Sequence, residues 1–332
     1  MLQSIFMSLK KNIIKYSNLL INTSSYLYSI AGGKSSILGM PLALGIELTN
    51  NCNLYCPECL SGSGQMTRIK GYMNSALFEK LIRELSPYLF NVNLYFQGEP
   101  MLHPQFFSFI DKIRVIRTVV STNGHFLTEN NAVKLINSGI YKLIVSMDSL
   151  DQEIYSTYRK GGNVEKVING IKNVSRAIGK YNSDLRFEIQ VLVNRYNEHQ
   201  IPAIRKFAGE VNATLRLKSM QIINKDMIYN WMPGNEKFRR YRETGDKYIP
   251  KNSAVNRCHR LWINPVITWD GKVVPCCFDK DASHVLGDLK NESFRDIWFG
   301  KENRLFRQQI LTYRSTIDIC KNCTTGLRGI KF

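Results

Sequence analysis

Long apolar runs are missing from this 332-residue chain. A helix that crosses a bilayer needs about 20 consecutive apolar residues, and no stretch supplies them, so a membrane-embedded protein is excluded. Near the start, Lys10, Lys11, Lys15, Asn18 and Asn22 interrupt every apolar run before it reaches the length of an export-signal core, which implies a cytoplasmic protein. Cysteine is scarce too: eight residues are too few for a small disulfide scaffold. They fall in three groups, Cys52 to Cys59, Cys258 to Cys277 and Cys320 to Cys323, and in a reducing compartment such grouping points to metal binding or catalysis. Acidic residues are also short, 27 against 45 basic, for a net charge of +18. That balance raises nucleic acid or an anionic membrane as partners. The excess is spread thinly, however, with four lysines and no acid in residues 1–40, ten basic against five acidic in 201–250, and fourteen against eight in 251–332. No nucleic-acid-binding motif accompanies it, and no nucleic acid is expected as a partner. Internal repeats and low-complexity tracts are absent, while 44% hydrophobic and 22% charged residues are ordinary globular usage.

What is present is a rhythm. From residue 43, short β-branched runs at 43–48, 92–96, 118–121, 142–147, 187–193 and 215–221 alternate with segments of helical spacing at 75–88, 104–114, 128–137, 163–180 and 198–211. Parallel strands need crossovers, so the alternation predicts a parallel sheet with helices outside it. Six units are too few to close an eight-stranded barrel. The expectation is an α/β fold, a partial (βα)6 TIM-like barrel over residues 43–223 with a small C-terminal cluster-binding domain. Residues 1–42 form an extension predicted to be helical, with Leu2, Ile5, Phe6, Leu9, Ile13, Leu19 and Leu20 at loose helical spacing between lysines. Packing on the following domain is expected of it, an interfacial membrane helix being the alternative. Residues 224–256, interrupted by Pro233, Gly234, Gly245 and Pro250, read as a bridge. In the last segment, 257–332, runs 266–269 and 273–275 around Asp270-Gly271 predict a hairpin, 293–310 a helix, and Cys320 to Cys323 a tight ligand knuckle.

The run Cys52-Asn53-Leu54-Tyr55-Cys56-Pro57-Glu58-Cys59 directly follows the first predicted strand, at the end where α/β barrels carry active-site loops. Three thiolates in one loop can hold three irons of a cubane and leave the fourth open to a small molecule. A tetrahedral zinc site with a distant fourth ligand is the rival reading. With that spacing at that place, the chain resembles the radical S-adenosylmethionine superfamily over residues 43–223. The resemblance implies a [4Fe-4S] cluster on Cys52, Cys56 and Cys59, with S-adenosylmethionine bound to the open iron. It further implies reductive cleavage to a 5'-deoxyadenosyl radical and a low-potential electron donor such as ferredoxin or flavodoxin.

Residues at successive strand ends match the family's cofactor contacts. Gln97-Gly98-Glu99-Pro100 stands where the family carries Gly-Gly-Glu-Pro, so Gln97, Gly98 and Glu99 are expected at the methionine amino group. Gln97 in place of a glycine is tolerable where its φ is negative. Tyr55 in the cysteine loop, Ser121 and Asn123 after the third strand, and Ser146 and Asp148 after the fourth are implied as further contacts. Arg159 is implied on the carboxylate, which its planar fork suits. Glu58 stands where many members carry an aromatic residue beside the adenine, so only a backbone contact is expected there.

Cys258, Gly271 and Cys276, closed by Cys320 and Cys323, resemble the SPASM and twitch extensions of the same superfamily, which bind auxiliary [4Fe-4S] clusters. The later ligands of a full SPASM domain are missing, and four cysteines fit one fully coordinated cluster, with a structural zinc knuckle as the alternative. Cys277, beside Cys276 in an extended segment, points the other way. It is expected to be a small buried apolar residue. His103 is expected to cap the following helix and His259 to stand beside the cluster of Cys258. No catalytic side chain is assigned.

These resemblances imply an enzyme that abstracts hydrogen from a substrate C–H bond. The single auxiliary cluster resembles that of the inosamine alcohol dehydrogenases, so oxidation of a small polar metabolite, a sugar or aminocyclitol alcohol, is expected. The 42 residues before the first strand are fewer than a leader-recognition domain, which puts peptide modification second and epimerisation third. An iron-sulfur or zinc scaffold without catalysis is the remaining alternative.

Overall fold

The computed structural model describes residues 2–245, 247–251 and 255–323, with side chains described from residue 12 onward. Helix α1 (Leu2–Gly32) leads into β1 (Ala43–Ile46), α2 (Leu60–Ser63) and α3 (Ser75–Leu85). There follow β2 (Asn91–Asn93), α4 (Phe106–Lys112), β3 (Arg117–Thr122), α5 (Glu129–Asn137), β4 (Lys142–Ser146), α6 (Gln152–Tyr158) and α7 (Val164–Tyr181). Strand β5 (Arg186–Val193), α8 (Ile201–Glu210) and β6 (Thr214–Ser219) complete the succession. Strands β1 to β6 pair in parallel in chain order, giving the expected α/β partial barrel.

Strand β5 shows why the sequence folds this way. Phe187, Ile189, Val191 and Val193 join the core with Val167, Ile171 and Val174 of α7, while the alternate residues Glu188, Gln190 and Leu192 occupy the opposite, lumenal face. Helix starts are fixed locally by short polar caps: Asn74, Thr128, Asp151 and Asn163 each accept a backbone N–H of their own first turn.

The bridge holds a short helix, α9 (Ile228–Trp231), and a hairpin of β7 (Tyr241–Thr244) and β8 (Lys247–Pro250) that the breaker residues did not announce. After it come α10 (Arg260–Ile263), β9 (Val266–Ile267), β10 (Lys272–Val274), β11 (Gly287–Asp288), α11 (Phe294–Phe299), α12 (Lys301–Tyr313) and α13 (Asp318–Lys321). The expected β9–β10 hairpin forms, but it does not stand apart. Gly45 pairs with Val266 and Ile46 with Ile267, in parallel, so one nine-stranded sheet runs β11-β10-β9-β1-β2-β3-β4-β5-β6. The outer edge of β1 carries backbone groups that need partners, and β9 provides them. The single helix expected over 293–310 is two, because Gly300 adopts an extended conformation (φ −68°, ψ 170°) between α11 and α12.

Helix α1 packs on the domain as expected, yet through its polar face. Asn18 and Asn22 donate to the Met40 carbonyl, Asn22 donates also to that of Trp262, and Ser25 and Ser29 donate to that of Ser36. The irregular segment after the helix has carbonyls that no strand satisfies, and these side chains supply the donors.

A buried ion pair ties the barrel to the C-terminal region. Arg68 grips Glu47 with two bonds of 2.7 Å each and donates also to the Lys280 carbonyl at 3.1 Å. Glu47 accepts the Trp269 N–H at 3.2 Å as well.

Candidate active site

The cysteine loop following β1 is laced to the ends of the other strands. Tyr55 N–H donates to the Lys160 carbonyl (2.9 Å), Glu99 N–H to that of Asn51 (2.8 Å) and Asn123 Nδ2 to Asn53 Oδ1 (2.8 Å). Beneath the loop lies Gly98, whose φ of +74° and whose closeness to the Thr49 and Asn51 carbonyls, 2.6 and 2.5 Å from where a Cβ would stand, admit no side chain. Cys52, Cys56 and Cys59 are near enough to influence one another electrostatically. Burial pushes the Cys52 thiol up to about 11 and that of Cys56 to about 12. Among the described residues no three His, Cys, Asp or Glu side chains converge as they do around one metal ion.

Glu99 is fully enclosed and accepts hydrogen bonds from Thr122 Oγ1 (2.8 Å), Asn123 N–H (2.7 Å) and Met101 N–H (3.1 Å). Burial outweighs those donors and raises its carboxyl to about 7. Gln97 lies outside the positive-φ residues, so the departure from glycine costs no backbone strain. Its Oε1 is buried without a partner. Arg159 and Asp148 form a buried pair, Nε to Oδ2 at 2.6 Å, and the second Asp148 oxygen accepts the Leu192 N–H at 2.8 Å. Asp148 therefore spends both oxygens on holding Arg159 and β5, and the guanidinium fork keeps its terminal amines for another partner. Ser121 and Ser146 are half-buried at the strand ends. Tyr55 is 66% exposed and its ring lies against Gly161.

Two residues have roles that sequence reading missed. Glu58 accepts the N–H groups of Ile223 (2.6 Å) and Asn224 (3.2 Å), stapling the cysteine loop to the chain leaving β6. Cys277 is not a small apolar core residue: it is half-buried and accepts Arg260 Nη1 at 2.9 Å. Cys276 lies near Cys258 and Cys323, while Cys277, in the turn after β10, has Tyr95, Lys218 and Lys280 about it.

Cys258, Cys276, Cys320 and Cys323 are all buried, and Arg314 reaches 3.8 Å from the Cys323 sulfur. Burial raises the thiols of Cys258, Cys276 and Cys320. His103 accepts the Gln105 N–H at 3.0 Å on Nδ1, but Gln105 precedes the first residue of α4, which has no side-chain cap, so the expected cap does not form. His259, next to Cys258 in the chain, packs on Tyr26 of α1, 4.9 Å between ring centres. A cavity of about 410 Å³, lined by Leu60, Gln221, Ile223, Phe278, Lys280 and Asn322, opens between the two cysteine groups.

A radical SAM superfamily model matches residues 46–216, and the SPASM iron-sulfur cluster-binding domain model matches residues 258–324. The chain belongs to the radical SAM superfamily. It is a radical SAM enzyme with a C-terminal SPASM domain, and its cofactors are the S-adenosylmethionine cluster, S-adenosylmethionine and an auxiliary iron-sulfur cluster. Curated relatives include a probable GTP 3',8-cyclase of Methanocaldococcus jannaschii, 27% identical and covering 72% of this chain and 86% of the relative. Mycofactocin maturase MftC of Mycolicibacterium smegmatis is 26% identical over 86% of this chain and 76% of its own. The S-adenosyl-L-methionine-dependent 2-deoxy-scyllo-inosamine dehydrogenase of Niallia circulans is 25% identical over 84% and 90%. Among solved structures, Streptococcus suis SuiB bound to S-adenosylmethionine has a TM-score of 0.63 at 14% identity, covering 92% of this chain and 76% of its own. BtrN in complex with AdoMet and 2-DOIA has a TM-score of 0.53 at 20% identity, covering 86% and 93%. At those identities the structures share the fold. No helix among the described residues is long and apolar enough to cross a membrane.

Proposed function

We propose that this radical SAM enzyme oxidises a small polar metabolite, a sugar or aminocyclitol alcohol, in the barrel lumen. The observation that carries the reading is the lumen's chemistry. Lys142 (2.6 Å) and Arg216 (3.0 Å) both bind Glu188 Oε2, the other Glu188 oxygen has no partner, and Arg260 and Cys277 pair nearby. A wall of charged groups recognises a molecule dense in hydroxyl or amino groups, and an apolar substrate would leave them without further partners.

The donor chemistry fits the family's cofactors. Cys52 and Cys56 are desolvated in the loop they share with Cys59 over the Gly98 cradle, and Cys258, Cys320 and Cys323 lie around Arg314. Buried thiols such as Cys52 and Cys56 resist ionisation until metal binds, and thiolates are what iron-sulfur clusters require. In this reading Cys52, Cys56 and Cys59 hold the S-adenosylmethionine cluster and Cys258, Cys276, Cys320 and Cys323 the auxiliary one. When bound, these groups supply the electron for reductive cleavage of S-adenosylmethionine and an acceptor for the electron released by substrate. Arg159, aimed by Asp148, offers its fork to the methionine carboxylate. Glu99, ionised by the approach of the methionine ammonium, receives that group together with the carbonyls around Gly98. Ser121, Asn123, Ser146 and Tyr55 line the remaining approach, and reducing electrons come from a ferredoxin or flavodoxin.

The test is anaerobic turnover with dithionite, S-adenosylmethionine and deuterium-labelled sugars and aminocyclitols. Deuterium entering 5'-deoxyadenosine together with a product two hydrogens lighter supports the proposal. A Cys52, Cys56, Cys59 triple-alanine variant must give no 5'-deoxyadenosine. The likeness to a maturase favours peptide modification as the second reading, and label transfer from a peptide would establish it instead. A product of unchanged mass and inverted configuration would establish epimerisation.

A further inference from the structure

We infer that α1 is an interfacial helix that seats this enzyme on an anionic lipid surface. Along the helix, Ile13, Tyr16, Leu20, Leu27 and Tyr28 are 62, 59, 69, 54 and 68% exposed. Their spacing places them on one side, with Ile21 beside them at 45% exposed, the small Ser17 and Ser24 exposed between them, and Tyr16 edge-on to Phe90 at its margin. From Ile13 to Tyr28 the stripe runs about 22 Å at the helical rise, and no described helix can cross a membrane. An apolar stripe of that length lies in the plane of a bilayer surface.

The stripe cannot be hidden by rolling the helix. Asn18, Asn22, Ser25 and Ser29, all 6% exposed or less, are committed to the carbonyls of Met40, Trp262 and Ser36. Turning the apolar side inward would break those bonds and leave the Met40, Trp262 and Ser36 carbonyls without these donors. On its flank, Tyr26 is wedged against Trp262 and His259, ring centres 5.1 and 4.9 Å away. The domain thus holds the helix by its polar side and presents the apolar side outward. Tyr16 and Tyr28 have the amphipathic character that favours the headgroup level.

Charge selects the occupant. Residues 1–46 contain Lys10, Lys11, Lys15 and Lys34 and no acidic residue, within a chain of net charge +18. A second copy packing on the stripe would bring segments of one sign together, whereas anionic headgroups neutralise them.

Flotation of the reconstituted enzyme with phosphatidylcholine vesicles, with and without phosphatidylglycerol, tests the proposal. Binding is expected to the anionic vesicles and to fall as salt rises. Leu20→Glu with Leu27→Glu should reduce it at least about tenfold, as should Lys10, Lys11 and Lys15→Gln together. Val115→Glu, placed on an 81% exposed residue before β3, should leave it unchanged. Iron content and 5'-deoxyadenosine formation should match wild type in every variant, so that lost binding is separated from lost folding. Three results would overturn the inference: no flotation, equal flotation with both vesicle types, or a dimer by light scattering that the double leucine variant dissociates.

Discussion

Replacing Arg68 isolates one buried ion pair and asks how much of the molecule depends on it. The Arg68 and Glu47 side chains are 6% and 0% exposed, and their two 2.7 Å bonds form a bidentate fork. Arg68→Ala leaves Glu47 buried with only the Trp269 N–H as a donor. Breaking a buried pair by removing one partner costs about 3–5 kcal/mol. Unfolding a chain of 332 residues, at about 2 cal/mol/K per residue, has an entropy that turns this loss into a Tm about 4–7 °C lower. Desolvation already holds the Glu47 carboxyl above its ordinary value, and losing the guanidinium raises it further. The native variant therefore binds a proton that the unfolded chain releases, so its deficit is largest above neutrality and shrinks on acidification. Glu47→Leu with Arg68→Met removes both charges and should be less damaging than either single change, because no uncompensated charge remains. Calorimetry of wild type, Arg68→Ala, Glu47→Leu, Arg68→Met and the double variant from pH 5 to 8 reads all of this. A loss below about 1 kcal/mol for Arg68→Ala, the size of a surface pair, or a double variant worse than both singles, would refute the reasoning.

Four further outcomes are expected. Glu99 rises from 4.5 to about 7 on burial, so between those values the native state holds a proton the unfolded state lacks. Urea unfolding of the cluster-free protein should then show stability falling by up to about 3 kcal/mol as pH rises through that window, relative to Glu99→Gln; a constant difference between the two would contradict it. Gly98→Ala should cost at least about 2 kcal/mol and abolish S-adenosylmethionine cleavage, whereas Gly64→Ala, in open space at φ +76°, should pay only the strain. Iron analysis should give about eight irons for Cys277→Ala and about four for Cys276→Ala, by cubane stoichiometry; equal losses would make Cys277 a ligand. Glu58→Ala removes the acceptor of two N–H groups, and amide exchange at Ile223 and Asn224 should accelerate at least about tenfold.

The barrel was legible in the sequence because its signal is local. Alternating β-branched strands such as 187–193 and capped amphipathic helices such as 163–180 declare themselves within a few residues. The cysteine loop and the polar strand ends were legible for the same reason. What escaped depends on distant partners. Nothing near Glu58 announces that its carboxylate meets the N–H groups of Ile223 and Asn224. Apolar spacing marks α1 as amphipathic but not which side packs, since that is decided by unsatisfied carbonyls at Ser36, Met40 and Trp262. Cys277 was misjudged because the turn after β10 sets it against Arg260, a fact of tertiary placement. Gly300 looked harmless inside a helical pattern, but there the chain is extended and a Cβ would stand 2.7 Å from the Asp296 carbonyl.

The pairing of β9 with β1 makes the C-terminal region a poor candidate for a detachable module. Cutting the chain in the 224–256 bridge would not merely drop an appendage. It would strip Gly45 and Ile46 of their neighbours and leave a raw strand edge that invites another chain to add itself. Conversely, the bridge is no passive tether: Arg240 and Tyr241 bond to Asn322, between Cys320 and Cys323. The ladder and the bridge together hold the two cysteine groups at one spacing, so a change in either would alter the gap between them.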